Sequence, residues 1–282
     1  MTNRMDLTRR SFVALSTTAI SAAGLLRGAK NSVPIGLELY SVRNALQKNP
    51  VGTVEAVAKM GYQVVEFYAP YYNWTTDYAK DMRKRMDDLG IRCSSTHNGP
   101  VSFSDNGVGK AIELNQILGA KYIVMASAGK VEGADGWKKV ADTLNAANEK
   151  MKAQGIHPGY HNHQAEWKPV DGQKPIEILA ANTDKSIMLQ LDVGTALETG
   201  NDPVAWIDRN PGRIRSLHLK EWSPEKGYKC LLGEGIGPWK KIFAAAEAKG
   251  GVEFYLIEQE GSEFPELETA AKCLENYKKM RA

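Results

Sequence analysis

The sequence predicts an α/β fold, a single-domain (β/α)8 TIM barrel, and three observations support this prediction. Short β-rich runs alternate with helical segments eight times after Val33. The predicted strands are apolar through their middles, as strands covered on both faces must be. Eight strand–helix pairs within about 250 residues suit a closed barrel. An open doubly wound sheet is the alternative, but no G-x-G-x-x-G phosphate loop follows an early strand.

The strands are assigned to runs rich in β-branched and aromatic residues. In chain order they are residues 34–42, 63–68, 91–97, 121–126, 156–161, 187–192, 213–219 and 253–260. The helices are assigned to segments with helical spacing of apolar residues, such as positions 140, 144, 147 and 151. In chain order they are residues 51–60, 77–89, 109–118, 137–154, 176–181, 203–209, 239–249 and 265–280. Glycines that close helices in the left-handed conformation are predicted at Gly61, Gly90, Gly119, Gly155 and Gly250.

Residues 1–30 are predicted to be an export signal and a disordered leader, which leaves residues 31–282 for the barrel. The stretch Thr8-Arg9-Arg10-Ser11-Phe12-Val13 resembles a twin-arginine motif, and residues 21–23 are small, as at a cleavage site. The apolar run after the motif is too short and too weakly apolar to form a stable membrane anchor. We therefore expect the twin-arginine translocase as a partner and a periplasmic or secreted location.

The charge and the cysteines exclude several kinds of protein. The formal net charge is +3, and the three arginines and one aspartate before Gly24 contribute +2, which leaves +1. So small a charge argues against nucleic acid or an anionic membrane as a partner. Cys93, Cys230 and Cys273 have the spacing of neither a CxxC zinc site nor a disulfide framework, although one pair could still form a disulfide in an oxidising compartment.

Polar residues recur at the C-terminal ends of the predicted strands, where a barrel of this kind builds its active site. They are Glu38, Tyr40, Glu66, Tyr68, His97, His161, His163, Asp192, His218, Lys220, Glu258 and Glu260. Charged side chains are seldom buried unless they are paired or bind a metal ion. A polar residue at nearly every strand end therefore predicts a polar pocket.

Four of these residues offer nitrogen and oxygen donors for a divalent metal ion: His161, Asp192, His218 and Glu258. Such a mixed set suits hard or borderline cations, with Mn²⁺ as the first choice and Mg²⁺, Co²⁺ or Zn²⁺ as alternatives. The absence of cysteine from the set argues against a structural zinc site. His161 and His163 are spaced i, i+2 and share one face of a strand, so one can bind the ion while the other titrates.

Several short motifs occur in a fixed order from about Val33 to the end of the chain. They are Gly36-Leu37-Glu38-Leu39-Tyr40-Ser41-Val42-Arg43, Gly61-Tyr62 with Val65-Glu66-Phe67, Tyr160-His161-Asn162-His163 with Glu166, Leu191-Asp192-Val193-Gly194, His218-Leu219-Lys220-Glu221, Gly233-Glu234-Gly235 and Ile257-Glu258-Gln259-Glu260. Together they resemble the xylose isomerase-like barrel superfamily, and more narrowly its sugar phosphate isomerase/epimerase members.

This resemblance implies a metal site and a type of chemistry. In that family a strand-5 Glu, a strand-6 Asp, a strand-7 His and a strand-8 Glu bind a divalent metal, and the two Glu exchange protons with the substrate. The resemblance assigns the metal roles to Asp192, His218 and Glu258. His161 stands at the strand-5 position, so the resemblance implies the metal but not a relay of two carboxylates.

The first hypothesis is an exported, divalent-metal-dependent sugar isomerase or epimerase that abstracts a proton next to a carbonyl and forms an enediolate. Glu258 would be both metal ligand and base, and His163 or Glu166 would take the second proton-transfer role. The residues assigned to substrate binding are Glu38, Tyr40, Glu66, His97, Lys220, Trp222 and Glu260. Lys220 either neutralises an oxyanion or pairs with Glu260. The glycine-rich stretch at 233–237 is interpreted as a loop facing the substrate, and Trp74, Trp167 and Trp222 as faces for a sugar ring.

Other functions remain alternatives at this point. A lyase acting on a 3-keto-glycoside would abstract the same proton and then expel a substituent. A non-catalytic sugar-binding barrel would keep the pocket without turnover. An abasic-site endonuclease would share the fold but would need more metal ligands than the five histidines of this chain favour, and a basic face. Assembly into a homodimer also stays open.

Overall fold

The structure, a computed structural model, describes residues 33–282. Within this part of the chain, eight parallel strands form a closed barrel in sequence order, and the first strand pairs with both the second and the eighth. The predicted fold class, a single-domain (β/α)8 barrel, is confirmed. The twin-arginine motif at Arg9 and Arg10 and the predicted cleavage site lie outside the described residues.

Each strand overlaps one of the eight predicted runs. In chain order the strands are β1 Ile35–Glu38, β2 Val64–Phe67, β3 Arg92–Asn98, β4 Tyr122–Met125, β5 His157–His161, β6 Met188–Asp192, β7 Ser216–Leu219 and β8 Phe254–Ile257. Several end earlier than predicted because the chain turns as soon as it leaves the sheet. After β1, for example, a 3₁₀ turn begins at once, and the Glu38 carboxylate accepts a hydrogen bond from the Tyr40 N–H at 2.6 Å.

All eight predicted helices are present, with small shifts at their ends. The α-helices of the described residues are α1 Arg43–Lys48, α2 Pro50–Met60, α3 Thr76–Leu89, α4 Val108–Leu118, α5 Gly133–Lys152, α6 Gln164–Trp167, α7 Pro175–Asn182, α8 Val193–Glu198, α9 Pro203–Arg209, α10 Trp239–Ala245 and α11 Glu266–Arg281. Helices α1, α6 and α8 are additional to the prediction, as are the 3₁₀ turns Leu39–Val42, Ala69–Asn73 and Pro100–Phe103. These pieces are too short to show a helical period in the sequence, and they follow strand ends, so they form the rim of the barrel.

The glycines predicted to close helices are confirmed with one exception. Positive φ angles occur at Gly61, Gly90, Gly119 and Gly155. The prediction for Gly250 is wrong, because α10 continues through one π-helical turn, Ala246–Gly250, and Gly251 with a φ of 77° ends it. A Cβ atom added to Gly251 would lie 3.0 Å from the Gly212 Cα, so both the backbone angle and the close contact favour glycine.

The barrel interior is apolar and packed in its N-terminal half, away from the C-terminal ends of the strands. One buried cluster draws its side chains from the even-numbered strands: Val64, Tyr122, Val124, Met188, Phe254 and Leu256. Glycines on odd-numbered strands make room for them, because a Cβ atom on Gly36 would lie 2.4 Å from the Val64 Cγ2 atom. Alternate strands supply each layer of a barrel interior. The next inward positions along β2, β6 and β8 are Glu66, Gln190 and Glu258, so the interior becomes polar at the C-terminal end.

Outside the barrel interior, the apolar stripe predicted for α5 packs as expected, since Leu144, Ala147 and Met151 are buried in the layer between helices and sheet. The three cysteines are buried free thiols, which agrees with the absence of a disulfide framework. Among residues 33–282, no helix combines the length and the apolar character needed to cross a membrane.

Candidate active site

A cavity of about 460 Å³ opens at the C-terminal end of the barrel. Eight of the residues to which the sequence analysis assigned a metal-binding, catalytic or substrate-binding role line it: Glu38, Tyr40, His97, His161, His163, Lys220, Glu258 and Glu260. They belong to β1, β3, β5, β7 and β8 or directly follow these strands. The structure therefore brings together side chains that are more than 200 positions apart in the sequence.

Four buried residues, two of which line this cavity, lie close enough together to share one metal ion. His161, Asp192, His218 and Glu258 each offer one donor atom, and these atoms lie within 4.8 Å of one another. They come from the ends of β5, β6, β7 and β8, and Asp192 is paired with His218 in the parallel register. Parallel strands end at one rim, so the four positions predicted from the sequence converge. We refer to these four residues as the donor cluster.

The donor cluster has unsatisfied atoms of the kind that bind a divalent cation. Both ring nitrogens of His161 and the Oδ2 atom of Asp192 are buried and have no hydrogen-bond partner within the described residues. Burial, followed by the neighbouring His218, holds the pKa of His161 well below its usual value, so the imidazole is neutral and has a lone pair to donate. Leaving a buried polar atom unpaired costs about 1–3 kcal/mol, which a bound cation would relieve. The donor set therefore fits a divalent metal ion.

His218 is held between two carboxylates. Its Nδ1 atom lies 2.5 Å from the Glu258 Oε2 atom, inside the donor cluster, and its Nε2 atom lies 2.8 Å from the Glu66 Oε1 atom, outside the cluster. Burial alone would lower the pKa of His218, but Glu66 and Glu258 raise it to about 10. Two carboxylates thus fix the ring orientation and direct the Nδ1 atom toward the donor cluster.

Glu66 does not line the cavity, which corrects its prediction as a substrate-binding residue. Its carboxylate is fully buried and accepts hydrogen bonds from the Ser95 hydroxyl and, at 3.0 Å, from the Gln190 amide. His97 and His218 also approach it, at 3.1 and 2.8 Å. Burial alone would raise the pKa of Glu66, but the two histidines keep it below its usual value. Glu66 is therefore an ionised group that holds two histidines in place.

Gln190 is a site residue that the sequence reasoning missed. Its Oε1 atom lies 2.7 Å from the His97 Nε2 atom, and its amide nitrogen donates to Glu66. Strand alternation could have identified it, because Gln190 precedes Asp192 by two positions and therefore faces the barrel interior on the same side of the strand. His97 itself lines the cavity, and its ring stacks on that of His218 with centroids 5.0 Å apart.

Lys220 supplies the positive charge of the cavity wall. Its ammonium group pairs with Glu260 and lies 3.4 Å from the Glu258 Oε1 atom and 3.8 Å from the Asp192 Oδ2 atom. Burial alone would lower the pKa of Lys220, but these carboxylates raise it well above its usual value. Lys220 in turn, with His218, keeps the pKa of Glu258 well below normal in spite of burial. The cavity therefore contains an ammonium ion and a carboxylate side by side.

Glu166 is directed away from the cavity, and this corrects its assignment as a proton carrier. One carboxylate oxygen accepts a hydrogen bond from the Tyr160 hydroxyl, and the other accepts one from the His163 N–H, both at 2.7 Å. Glu166 thus caps the short helix α6, whose N-terminal neighbour is His163. The His163 ring lines the cavity 4.7 Å from the His161 ring, measured between centroids. Of the two candidates for the second proton-transfer role, only His163 faces the cavity.

Glu38 and Tyr40 form the part of the cavity wall at the end of β1. The Glu38 Oε1 atom is buried without a hydrogen-bond partner in the described part of the chain. Burial, followed by the charge of Glu258, raises the pKa of Glu38 well above its usual value, which favours the protonated carboxyl group. Tyr40 is 39% exposed and packs edge-on against Tyr68 with ring centroids 5.3 Å apart. This part of the cavity wall therefore combines a buried carboxyl group with an aromatic ring.

The glycine-rich stretch at 233–237 does not line the cavity, which corrects its interpretation as a substrate-facing loop. It folds around the buried Glu221, whose carboxylate accepts hydrogen bonds from the N–H groups of Gly233 at 2.8 Å and Gly237 at 3.1 Å. The indole N–H of Trp239 also donates to Glu221, at 2.5 Å. Four nearby donors, one of them the Trp222 N–H, make this carboxylate the centre of the loop.

The tryptophans predicted as faces for a sugar ring are also absent from the cavity wall. Trp222 is not among the lining residues, which corrects its assignment to substrate binding. Trp167 is buried and packs edge-on against Trp206, with ring centroids 5.3 Å apart. Trp74 contacts Phe67 at 5.0 Å in the same manner. Periodicity shows which face a residue occupies but not whether another element covers it.

Comparison with known proteins places this geometry in context. Residues 54–280 match the sequence profile described as xylose isomerase-like TIM barrel. Among curated proteins, the inosose dehydratase of Geobacillus thermodenitrificans is 24% identical over 176 residues, which cover 51% of this chain and 58% of that protein. The chain thus spans less than two-thirds of the length of this relative.

Solved structures give longer matches. A sugar phosphate isomerase/epimerase from Parabacteroides distasonis is 28% identical, with a TM-score of 0.73, over 87% of this chain and 94% of that one. The IOLI protein, solved with a bound zinc atom, is 15% identical, with a TM-score of 0.64, over 88% of this chain and 96% of that one. The second likeness concerns the fold alone.

Proposed function

Because the chain belongs to the xylose isomerase-like TIM barrel family, we propose that it is a divalent-metal-dependent enzyme that isomerises or epimerises a sugar. The observation that supports this proposal best is the donor cluster, with its unpaired nitrogen and oxygen atoms at a polar cavity. A protein that only enclosed a sugar would have no need to keep such atoms buried and unpaired, since each costs stability.

In this proposal His161, Asp192, His218 and Glu258 hold the metal ion. When bound, a divalent ion supplies positive charge that polarises a carbonyl group and stabilises negative charge on its oxygen. Two imidazole nitrogens and two carboxylate oxygens suit Mn²⁺, which we propose as the ion, and Zn²⁺ is the main alternative. The zinc atom in the structure of the IOLI protein is consistent with a divalent ion in this fold.

Two residues of the cavity are proposed to move protons. Glu258 is an ionised carboxylate, kept so by Lys220 and His218, and it lines the cavity. It would take the proton from the carbon next to the carbonyl. His163 lines the same cavity and is held at its backbone by Glu166. It would return a proton to the substrate, a role for which an imidazole is suited near neutral pH.

Proton exchange tests this proposal. Purified full-length protein with added Mn²⁺ would be incubated with a panel of ketoses in deuterated water, and loss of the proton signal next to the carbonyl would be followed by NMR. We expect exchange into at least one ketose, and we expect Glu258→Gln to abolish it. Glu225→Gln, an exposed change outside the cavity, is the matched control. Failure of metal-loaded protein to exchange any ketose proton would contradict the proposal.

Elimination of water or of a glycosidic substituent is a second candidate function. It is favoured by Glu38, a buried carboxyl group in the cavity wall whose raised pKa favours its protonated form, and by similarity to inosose dehydratase. Glu258 would remove the proton next to the carbonyl. The Glu38 carboxyl would donate its proton to the leaving oxygen, so that water or an alcohol departs and a carbon–carbon double bond forms. An unsaturated ketone detected by NMR and by ultraviolet absorbance would favour elimination over isomerisation.

We also propose that the protein is exported as a folded holoprotein by the twin-arginine translocase, on the basis of Arg9 and Arg10. Replacement of both arginines with lysine should keep the protein in the cytoplasm, as measured by cell fractionation and immunoblotting. Lys30→Arg, a conservative change outside the motif, is the control. Undiminished periplasmic protein in the double variant would refute this route.

A further inference from the structure

A second cavity, of about 420 Å³, adjoins the first, and Tyr68 lines both. The residues of its wall that matter here are Arg43, Gln47, Phe67, Tyr68, Tyr71 and Trp74. We call this second cavity the aromatic groove. It lies between helix α1 and the segment that follows β2. Its position beside the cavity that contains the donor cluster makes it accessible to a group attached to a sugar bound there.

The aromatic side chains of the groove are fixed by one another. Strand β2 ends at Phe67, and in the 3₁₀ turn Ala69–Asn73 that follows, the Tyr71 ring lies edge-on to Trp74 with ring centroids 6.2 Å apart. The Trp74 ring packs edge-on against Phe67 at 5.0 Å and against Tyr78 at 4.9 Å. Trp74 and Tyr68 are nevertheless only partly buried. They therefore present preorganised aromatic surface to a ligand at little conformational cost.

The boundary between the two cavities is formed by three side chains. Tyr68 packs edge-on against Tyr40, and the Arg43 guanidinium lies 4.6 Å above the Tyr40 ring centroid. The guanidinium also donates to the carbonyl oxygens of Tyr40 at 3.1 Å and Glu260 at 3.2 Å. Tyr40 and Glu260 line the first cavity. Tyr40, Tyr68 and Arg43 thus form the boundary between the two cavities, so a ligand that spans both cavities would contact the Tyr40–Tyr68 pair.

The polar groups of the groove wall are largely occupied. The guanidinium of Arg43 is used by two carbonyl oxygens, and the Asn44 amide donates to Glu266 at 2.7 Å. Within the described residues, Arg43 is the one cationic side chain of this wall. An anionic group or a second sugar would need free hydrogen-bond donors, whereas a flat apolar ring needs aromatic and aliphatic surface. The wall therefore matches an aromatic ring better than a phosphate or a second sugar.

We propose that the aromatic groove binds the aryl group of an aryl glycoside whose sugar occupies the first cavity. This inference rests on the second candidate function, elimination next to a carbonyl group, since the sugar of such a substrate would be a keto-glycoside bound at the same site. It makes the substrate larger than a free ketose. Aromatic contacts and burial of apolar surface would contribute the additional affinity.

Binding of two glycosides that differ only in the aglycone tests the proposal. Full-length protein with Mn²⁺ would be titrated with phenyl β-D-glucopyranoside and with methyl β-D-glucopyranoside in a calorimeter. We expect the phenyl compound to bind about 10-fold more tightly, a ratio that stacking and apolar burial of one ring supply. Equal affinities in the wild-type protein would overturn the proposal.

Substitutions in the aromatic groove test whether the preference for the phenyl glycoside arises there. Trp74→Leu should reduce the ratio of the two affinities to about 1–2 by removing the largest aromatic surface. Gln47→Trp, on the exposed face of α1, should reduce it by filling the groove, and it leaves the packed side chains untouched if Trp74→Leu proves unstable. Trp222→Leu, outside both cavities, is the matched control and should keep the wild-type ratio. An unchanged ratio in Gln47→Trp or in folded Trp74→Leu would overturn the assignment.

These results are independent of turnover. If a ketose exchanges its proton while the two glycosides bind equally, the groove assignment fails and the proposed function remains. If the phenyl preference is present and depends on Trp74 while no ketose exchanges its proton, the groove assignment remains and the proposed function fails.

Discussion

Glu66 determines which nitrogen of His218 faces the donor cluster. The Nε2 atom lies 2.8 Å from the Glu66 Oε1 atom and the Nδ1 atom lies 2.5 Å from the Glu258 Oε2 atom, so a metal ion at Nδ1 would displace the proton shared with Glu258 while Nε2 keeps its proton toward Glu66. Carboxylates that accept a hydrogen bond from a metal-binding histidine fix its orientation and raise its basicity. The sequence placed Glu66 on the correct face of its strand. It could not reveal the partner, because His218 is 152 positions away.

The Glu66→Gln variant tests this role. The amide has nearly the same size as the carboxylate, so the barrel should fold, but it removes the negative charge that holds His218. We expect the affinity for Mn²⁺ to fall by about 10–100-fold, the usual effect of losing such a partner, as measured by isothermal titration calorimetry. Glu198→Gln, the same chemical change at a partner of Tyr228 outside the cluster, serves as the control. Equal Mn²⁺ affinity in Glu66→Gln and the wild type would show that Glu66 has no such role.

A change at His163 can show which residue of the pair His161 and His163 binds the metal ion and which one carries a proton. His161 is buried with unpaired nitrogens, whereas His163 lines the cavity. If His163 carries a proton, His163→Gln should keep Mn²⁺ and substrate affinity and lower turnover by about 10²–10⁴. Metal content and steady-state kinetics measure the two effects separately. Loss of the metal in His163→Gln would instead identify this residue as the ligand.

At the scale of elements, strand periodicity predicted most of the site. Inward positions recur every second residue, so Glu38, His97, His161, His218 and Glu258 could be assigned to the barrel interior from the sequence. The same rule failed where the chain leaves the strands. Glu166 follows β5 but turns back to cap helix α6, and a helix this short has no detectable period in the sequence.

The loop after β7 shows how one buried carboxylate can organise a glycine-rich segment. Glu221 accepts hydrogen bonds from Gly233, Gly237 and Trp239. A Cβ atom on Gly235 would lie 2.2 Å from the Trp222 carbonyl oxygen, so the glycines permit close packing around the anchor. The glycine-rich motif could be identified in the sequence, but the role of Glu221 as the structural anchor of this loop follows only from these contacts.

Glu221→Gln should therefore destabilise the protein without disturbing the metal site. The amide keeps the shape but offers one acceptor oxygen in place of two, which leaves buried N–H groups unpaired. We expect the free energy of unfolding to fall by about 1.5–3 kcal/mol, the value of hydrogen bonds to a charged group, in urea titrations. Glu225→Gln, exposed in the same loop, should change it little. A wild-type unfolding curve for Glu221→Gln would contradict the anchor.

At the scale of the whole molecule, the fold was predictable because its signals are repeated. Eight strand–helix units reinforce one another, and an error of a few residues at any strand end, such as the late end assigned to β1, leaves the topology unchanged. The site depends on single residues and on pairs such as Glu66 with His218. Such pairs are distant in the sequence and carry no periodic signal, so part of the site required the three-dimensional structure.

The same contrast applies to the substrate. The strand ends predicted a polar pocket, and the structure contains one. The aromatic groove beside it was not predicted, because Phe67 ends a strand and Trp74 directly follows a short 3₁₀ turn, and no local pattern in the sequence indicates their approach to Arg43. Neighbouring elements create the groove, and only the assembled barrel shows it.

The central claim is that the donor cluster binds one divalent metal ion. The most direct measurement is calorimetric titration of metal-free full-length protein with Mn²⁺, for the wild type and for Asp192→Ala. We expect one ion per chain in the wild type, together with a higher thermal midpoint, because a ligand that binds the folded state stabilises it. Asp192→Ala should stay folded, bind no Mn²⁺ and show no shift in midpoint. Full Mn²⁺ binding by folded Asp192→Ala, or none by the wild type, would contradict the claim.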